Sequence, residues 1–356
     1  MTSKTVRQFG LLCFSLAGFA GGTAAAQDRA FQFGLIGDMP YTAAQQREYP
    51  RVLAALNNAE LAFVVHIGDF QNDPRGYYPD PSIGALPCLD ANYKEIHDSF
   101  QSVRHPFVLT PGDNDWTDCH LVKDPKIDPL ERLAKVREMF FPEGRSLGQR
   151  TMPVENQSRD SNHAKFRENL RWTTGGITFA TLHIVGSNDN FGRTPEMDAE
   201  ERERKAANIS WMRAAFARAK SDGGRGLVFM TQANPGFENY WPPDAKGRYF
   251  GPFGGRDKIP AVPATPFEDY VSALQDELEG YDKPVAFLHG DTHLHRIDKP
   301  LYSKKTNRMF ENFTRVETFG NPDTHWVRVT VDPADPQVCS FRGEIVPENT
   351  ANHRTK

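Results

Sequence analysis

Gly-Asp occurs at 37–38, 68–69, 112–113 and 290–291, each time directly after an apolar run: FQFGLI, AFVVHI, PFVLTP and VAFLH. With 28 Gly and 26 Asp in 356 residues, about two such pairs arise by chance, so placement rather than number constrains the fold. Short apolar runs bounded by turn residues read as buried strands. Glycine permits a sharp turn at a strand's end, and the aspartates then gather along one edge of a parallel sheet, where α/β proteins place ligands. Aspartates that merely cap the next helix would account for one or two pairs, not the set.

The segments between these runs are helical in character. AAQQREYPRVLAALNNAE (43–60) reads as a helix interrupted near Pro50, LDANYKEIHDSFQSV (89–103) as a second helix, and LERLAKVREMFF as a third. A β-α-β-α-β opening implies a parallel sheet with right-handed crossovers. NLRWTT and ITFATLHIV, joined at Gly175-Gly176, read as a hairpin. A long charged helix (199–220), strand GLVFMTQ, a Pro/Gly-rich loop at 234–266, helix FEDYVSALQDELEGY, strand PVAFLHG and strand HWVRVTV follow. The fold class is α/β: a domain over 27–342, with 343–356 as a frayed tail.

Residues 1–26 carry Lys4 and Arg7, then FGLLCFSLAGFA and the small residues GGTAAA, the pattern of a secretory signal peptide. The apolar run is too short to span a bilayer, and nothing around Cys13 suggests a lipid anchor. Periplasmic or secreted localisation is expected. Without the signal the net charge is about −6, from 40 basic and 46 acidic residues, which argues against nucleic acid as a partner. Of Cys88, Cys119 and Cys339, the first two are closest in sequence and lie in loop-like stretches, so they are the favoured disulfide. Oligomeric state is not legible.

The order GDMPY (37–41), GDFQND (68–73), GDND (112–115), MTQANP (230–235) and GDTH (290–293) resembles the calcineurin-like metallophosphoesterases, purple acid phosphatases among them. The resemblance covers about 30–300 and implies a two-sheet sandwich flanked by helices, with C-terminal strands completing the second sheet. It implies two metal ions. Asp38 would bind the first and Asp69 bridge both. Asp113 stands where the family has Asn, Gln232 where it has a lone His, Asp291 for the first His of Gly-His-x-His, and His293 for the last. Pro40 replaces a ligating histidine, with Tyr41 as the substitute ligand or an ordinary packed aromatic. A one-residue slip would instead make Asn114 the ligand, followed by Asp115.

Such a donor set is almost wholly oxygen. It favours Mn²⁺, Fe or Mg²⁺ over Zn²⁺ and allows Ca²⁺. Four aspartates cancel the charge of two divalent ions, so either one metal is trivalent, or a nearby Arg or Lys restores positive charge, with Arg296 as the candidate, or the substrate is less highly charged. The family's catalytic His and its orienting Asp are here Asn114 and Asn72; an amide donates a hydrogen bond to phosphate but is no general acid. His120, His289 and His295 are the alternatives for that role, and Asn188, Asp189 and Arg193 are candidate substrate contacts. The expected function is hydrolysis of a small phosphorylated substrate, with Asp69 and Asn114 catalytic. Its rivals are a metal-binding protein that lost catalysis and a phosphodiesterase or nuclease, which would need a basic groove.

Overall fold

The computed structural model describes Met1 and residues 29–72, 86–122, 125–240, 249–251, 254–256 and 265–351. The proposed signal segment and much of the loops at 74–90 and 234–266 lie outside them. Two mixed sheets form the body. The first runs β14 (Cys339–Glu344), β13 (Trp326–Val331), β1 (Phe31–Ile36), β2 (Val64–His66), β3 (Phe107–Leu109). The second runs β11 (Arg296–Asp298), β12 (Phe313–Glu317), β10 (Val285–His289), β7 (Gly226–Met230), β6 (Ile177–Thr181), β5 (Leu170–Thr174), β4 (Glu155–Asn156). A ribbon of β8 (Tyr249–Gly251) and β9 (Gly254–Arg256) stands apart from both.

The expected two-sheet α/β architecture is present, and β1, β2 and β3 pair in parallel. The hairpin of β5 and β6 forms across Gly175 and Gly176, both at positive φ. The C-terminal strands divide, which corrects one expectation. β12 joins the second sheet beside β10, but β13 pairs antiparallel with β1 and carries β14, completing the first sheet.

Period-two burial explains why the central strands are apolar throughout. Val228 and Met230 on β7, with Ala286 and Leu288 on β10, face the first sheet and pack with Phe33, Phe63 and Val327. Their neighbours Leu227, Phe229, Val285 and Phe287 face the helices Pro195–Ser221 and Glu268–Leu278, meeting Trp211, Phe216 and Leu274. A strand covered on both faces has no polar side to show.

α1 (Ala43–Asn58) runs through Pro50 rather than stopping there, its start capped by the Thr42 hydroxyl. Burial of Tyr49, Val52, Leu53 and Leu56 against the first sheet outweighs the one helical hydrogen bond that proline removes. α2 (Asp90–Gln101) and α3 (Pro129–Phe140) complete that face. The described part of the expected frayed tail holds two fixed points. Gly343 and Glu344 belong to β14, and Asn349 is buried with its amide on Thr324 and Glu48 carbonyls.

Cys88 and Cys119 are disulfide-bonded, with Cα atoms 5.8 Å apart, and Cys339 is free. The bond closes a loop spanning 31 residues of sequence separation and ties the start of α2 to the turn after Asp113. The double variant Cys88→Ser/Cys119→Ser should lose about 3–4 kcal/mol, read as a lower urea midpoint. Among the described residues no helix is long and apolar enough to cross a membrane.

Candidate functional site

The carboxyl ends of the parallel strands from both sheets open onto one rim. There Asp38 follows β1, Asp69 follows β2, Asp113 follows β3 and Asp291 follows β10, so the four Gly-Asp pairs converge. Gln232 follows β7 and is fully buried.

The turns are made differently from the sequence expectation. Of the paired glycines only Gly68 has positive φ; Asp38, Asp69 and Asp291 themselves take the left-handed conformation, at φ 53°, 56° and 81°. Aspartate tolerates that region better than most residues. Glycine is needed for room. A Cβ on Gly112 would overlap the Asp69 carboxylate and come within 2.5 Å of its amide nitrogen, and one on Gly290 would overlap Asp38 Oδ2. Asp69 and Asp38 thus each rest on the glycine of another pair.

Asp69 is the hub. Its Oδ2 accepts from the Tyr41 hydroxyl at 2.6 Å and the Gln232 amide at 3.2 Å, and its Oδ1 accepts from the Asn114 backbone N–H at 3.1 Å. Tyr41 also lies 3.5 Å from Asp38 Oδ1. Asp38 accepts from the Asp291 N–H at 3.1 and 3.2 Å, and Asp291 Oδ2 accepts from Asn234 N–H at 2.9 Å. His293 Nε2 stands 4.0 Å from Asp38 Oδ1, its ring edge-on to Tyr41. The seven proposed ligands are therefore gathered in one neighbourhood.

Burial without countercharge governs the electrostatics. Desolvation first, then the charge of Asp291, holds Asp38 well above the usual carboxylate range; desolvation and then Asp113 do the same to Asp69. Burial pushes Asp113 up to about 6 and Asp291 up to about 7. Burial, then Asp69 and Asp38, keeps the Tyr41 hydroxyl protonated. The donor chemistry fits a hard divalent cation: crowded carboxylates that resist ionising, and a buried Asp113 Oδ1 with no hydrogen-bond partner among the described residues. Among those residues, however, no three His, Cys, Asp or Glu side chains are arranged closely enough to hold a metal ion as they stand.

Several supporting residues were not singled out by sequence. Asp115, offered only within the one-residue slip, accepts the backbone N–H groups of Asp69, Phe70 and Gly112 at 3.0, 2.9 and 2.7 Å, so it braces two turns. Glu317, at the end of β12, accepts from Thr292 and Leu294 N–H groups and shapes the loop bearing His293. Gly186 faces the cluster directly: a Cβ there would lie 2.7 Å from Asp291 Oδ1 and 2.8 Å from Asp113 Oδ2. Gly186→Ala should therefore displace both carboxylates and cost at least tenfold in affinity for Mn²⁺, measured by calorimetric titration. Unchanged affinity would separate Gly186 from the site.

Gly186 opens a left-handed turn, Ser187 to Asn190, with φ from 47° to 67°. Its anchor is Arg204, which bonds Asp189 at 2.5 Å, Glu200 at 2.8 Å and the carbonyls of His183 and Asp189. Asp189 is thus a buried brace rather than the substrate contact that the sequence suggested, while Asn188 is exposed and bonds the Phe191 carbonyl. Arg193 is paired with Asp118 at 2.8 Å, and Arg296 with Glu317 at 2.8 Å and Glu238 at 3.3 Å. His289 is buried on the Gly290 carbonyl, His295 stacks on Phe319, and His120 bonds Thr117; none joins the aspartates.

No family model matches the sequence, and no curated protein matches it. Among solved structures the chain is similar to PhoD, with a TM-score of 0.48 and 14% identity over 88% of this chain and 68% of that one. It is similar to GAP50, the anchor in the inner membrane complex of Plasmodium, with a TM-score of 0.43 and 12% identity over 89% of each chain. A third is 5'-nucleotidase from Candida albicans SC5314, with a TM-score of 0.42 and 12% identity over 91% of this chain and 53% of that one. Likeness at this level assigns no activity.

Proposed function

We propose that the chain is an exported, metal-dependent phosphoesterase of the calcineurin-like kind. The observation that carries this reading is the convergence of four strand-end aspartates drawn from both sheets, three of them buried and Asp291 half-buried. Asp38, Asp69, Asp113 and Asp291, with Gln232 and His293, would hold two divalent cations, which would supply Lewis acidity to a phosphoryl group and a nucleophile from water. Tyr41 keeps its proton and orients Asp69 through the 2.6 Å bond. Asn114 fixes the other Asp69 oxygen through its backbone and offers its side-chain amide to phosphate oxygen.

Without a general acid among Asn72, Asn114 and the three diverted histidines, the leaving group must depart as a stable anion. The favoured substrates are esters of acidic alcohols, aryl phosphates above all. The test is turnover of aryl phosphates of graded phenol acidity, with Mn²⁺, Mg²⁺, Fe²⁺ and Zn²⁺ supplied separately. Rates should climb steeply with phenol acidity; absence of turnover with every metal sinks the reading. A second reading, a metal-binding scaffold without catalysis, is favoured by the Asn72/Asn114 pair and by the two hydrogen bonds already on Asp69 Oδ2. Metal uptake without turnover would support it.

The same carboxylates give a readout independent of activity. Their folded-state pKa values lie above 3.8, so the fold binds more protons than the unfolded chain between about pH 4 and 7. In the cation-free chain their contribution to stability is complete below that window and is lost as pH rises through about 6 to 7. Melting temperature in chelator should fall across this range, and added Mn²⁺ should restore it at pH 7.

A further inference from the structure

β14 is the last strand of the first sheet, and its far edge meets no other strand among the described residues. Just before its ladder with β13, the Asp332 N–H donates to the Val338 carbonyl at 2.8 Å. Bonded and non-bonded pairs alternate along an antiparallel ladder, so Ser340, Arg342 and Glu344 turn their N–H and C=O groups to β13. Phe341 and Gly343 turn theirs outward, where no hydrogen bond reaches them among the described residues. Such an edge is a template for another strand, and proteins blunt it with lysine, proline or a bulge. Residues 341–345 do the reverse. They read FRGEI, with Gly343 at the centre, opposite charges one step out and apolar side chains two steps out. Turned end for end about Gly343, the segment matches itself: Arg342 of one copy faces Glu344 of the other, and Phe341 faces Ile345. Arg342 is 78% exposed and stands 3.7 Å from Glu344 Oε1, and Ile345 is 52% exposed, so both are open to a partner. The axis itself carries no side chain, because a Cβ on Gly343 would lie 3.0 Å from the Phe319 ring.

We propose that this edge binds a second copy of the chain, β14 against β14 and antiparallel, across a twofold axis at Gly343. The contact is isologous, so every interaction off the axis is made twice. The two Gly343 residues exchange backbone hydrogen bonds, two Arg342–Glu344 ion pairs flank them, and each Ile345 is covered by the partner's Phe341. The strand is six residues long, so the association is of the weak, concentration-dependent class. It uses none of the strand-end aspartates, and its test reads mass rather than turnover, so it stands or falls apart from the phosphoesterase reading.

The experiment is analytical ultracentrifugation of the intact mature chain over a range of concentrations. Monomer at about 10 μM should give way to dimer by about 500 μM. Arg342→Glu and Glu344→Arg each set like charges opposite one another twice, and each should raise the dimer Kd about tenfold or more. The double variant Arg342→Glu/Glu344→Arg should dimerise again, and it keeps a carboxylate beside Arg328, which lies directly opposite position 342. Mixed with the native chain, it should form the two homodimers and no heterodimer. Arg342 and Ile345 are exposed, so Arg342→Glu and Ile345→Lys should melt as the native chain does while both weaken association. A native chain that stays monomeric throughout overturns the proposal. So does a dimer indifferent to Arg342→Glu and Ile345→Lys, or a natively folded double variant that stays monomeric.

Discussion

Asp69→Asn should lower kcat for an aryl phosphate by about 10²- to 10³-fold, with the fold intact by circular dichroism. Asp69 is the residue on which the site's hydrogen bonds meet: Tyr41, Gln232 and the Asn114 backbone all point at its two oxygens. The amide preserves shape and accepts at least one of those bonds, but it removes a unit of charge from the proposed metal set. Asp69→Ala should lose as much or more. Turnover equal to the native chain in either variant would end the dinuclear reading, because that reading would need Asp69 for both cations.

The largest stability effect is expected at the anchor of the turn that Gly186 opens. Arg204→Ala should cost about 3–5 kcal/mol, seen as a lower urea midpoint, because it strands Asp189 as an uncompensated buried charge. The left-handed turn Ser187–Asn190 should loosen with it, and Mn²⁺ affinity should fall through Gly186. Removing both charges, as Arg204→Met/Asp189→Asn, should recover much of the stability. It should not recover the affinity if the turn needs the Arg204 bonds to the His183 and Asp189 carbonyls. An Arg204→Ala chain as stable as the native one would show that water reaches Asp189.

The central strands were legible in sequence because FQFGLI, AFVVHI, GLVFM and VAFLH have no polar alternation to confuse them, and β5 and β13 because NLRWTT and HWVRVTV alternate. β12 was missed because FTRVE carries Arg315 at a buried position, neutralised by Asp298 and Glu238 from elsewhere in the chain. β14 and β11 are edge strands with half-exposed, mixed patterns. Pro50 misled because local propensity was outweighed by packing. In the site, the four aspartates were legible from their strand-end position alone. Asp115, Glu317 and Gly186 were not, because what they do depends on which backbone N–H or carboxylate comes to face them. Arg296 looked available only while Glu317 and Glu238 were distant in sequence.

The interlocking of the Gly-Asp pairs bears on how such a chain can change over time. Gly112 makes room for Asp69 and Gly290 for Asp38, so a side chain gained at either glycine evicts a carboxylate encoded tens or hundreds of positions away. These positions can drift only in concert. In a library randomised at 38, 69, 112 and 290 and selected for metal retention, glycine at 112 should be recovered with a carboxylate at 69, and glycine at 290 with one at 38. Survivors that abandon one member should abandon its distant mate as well.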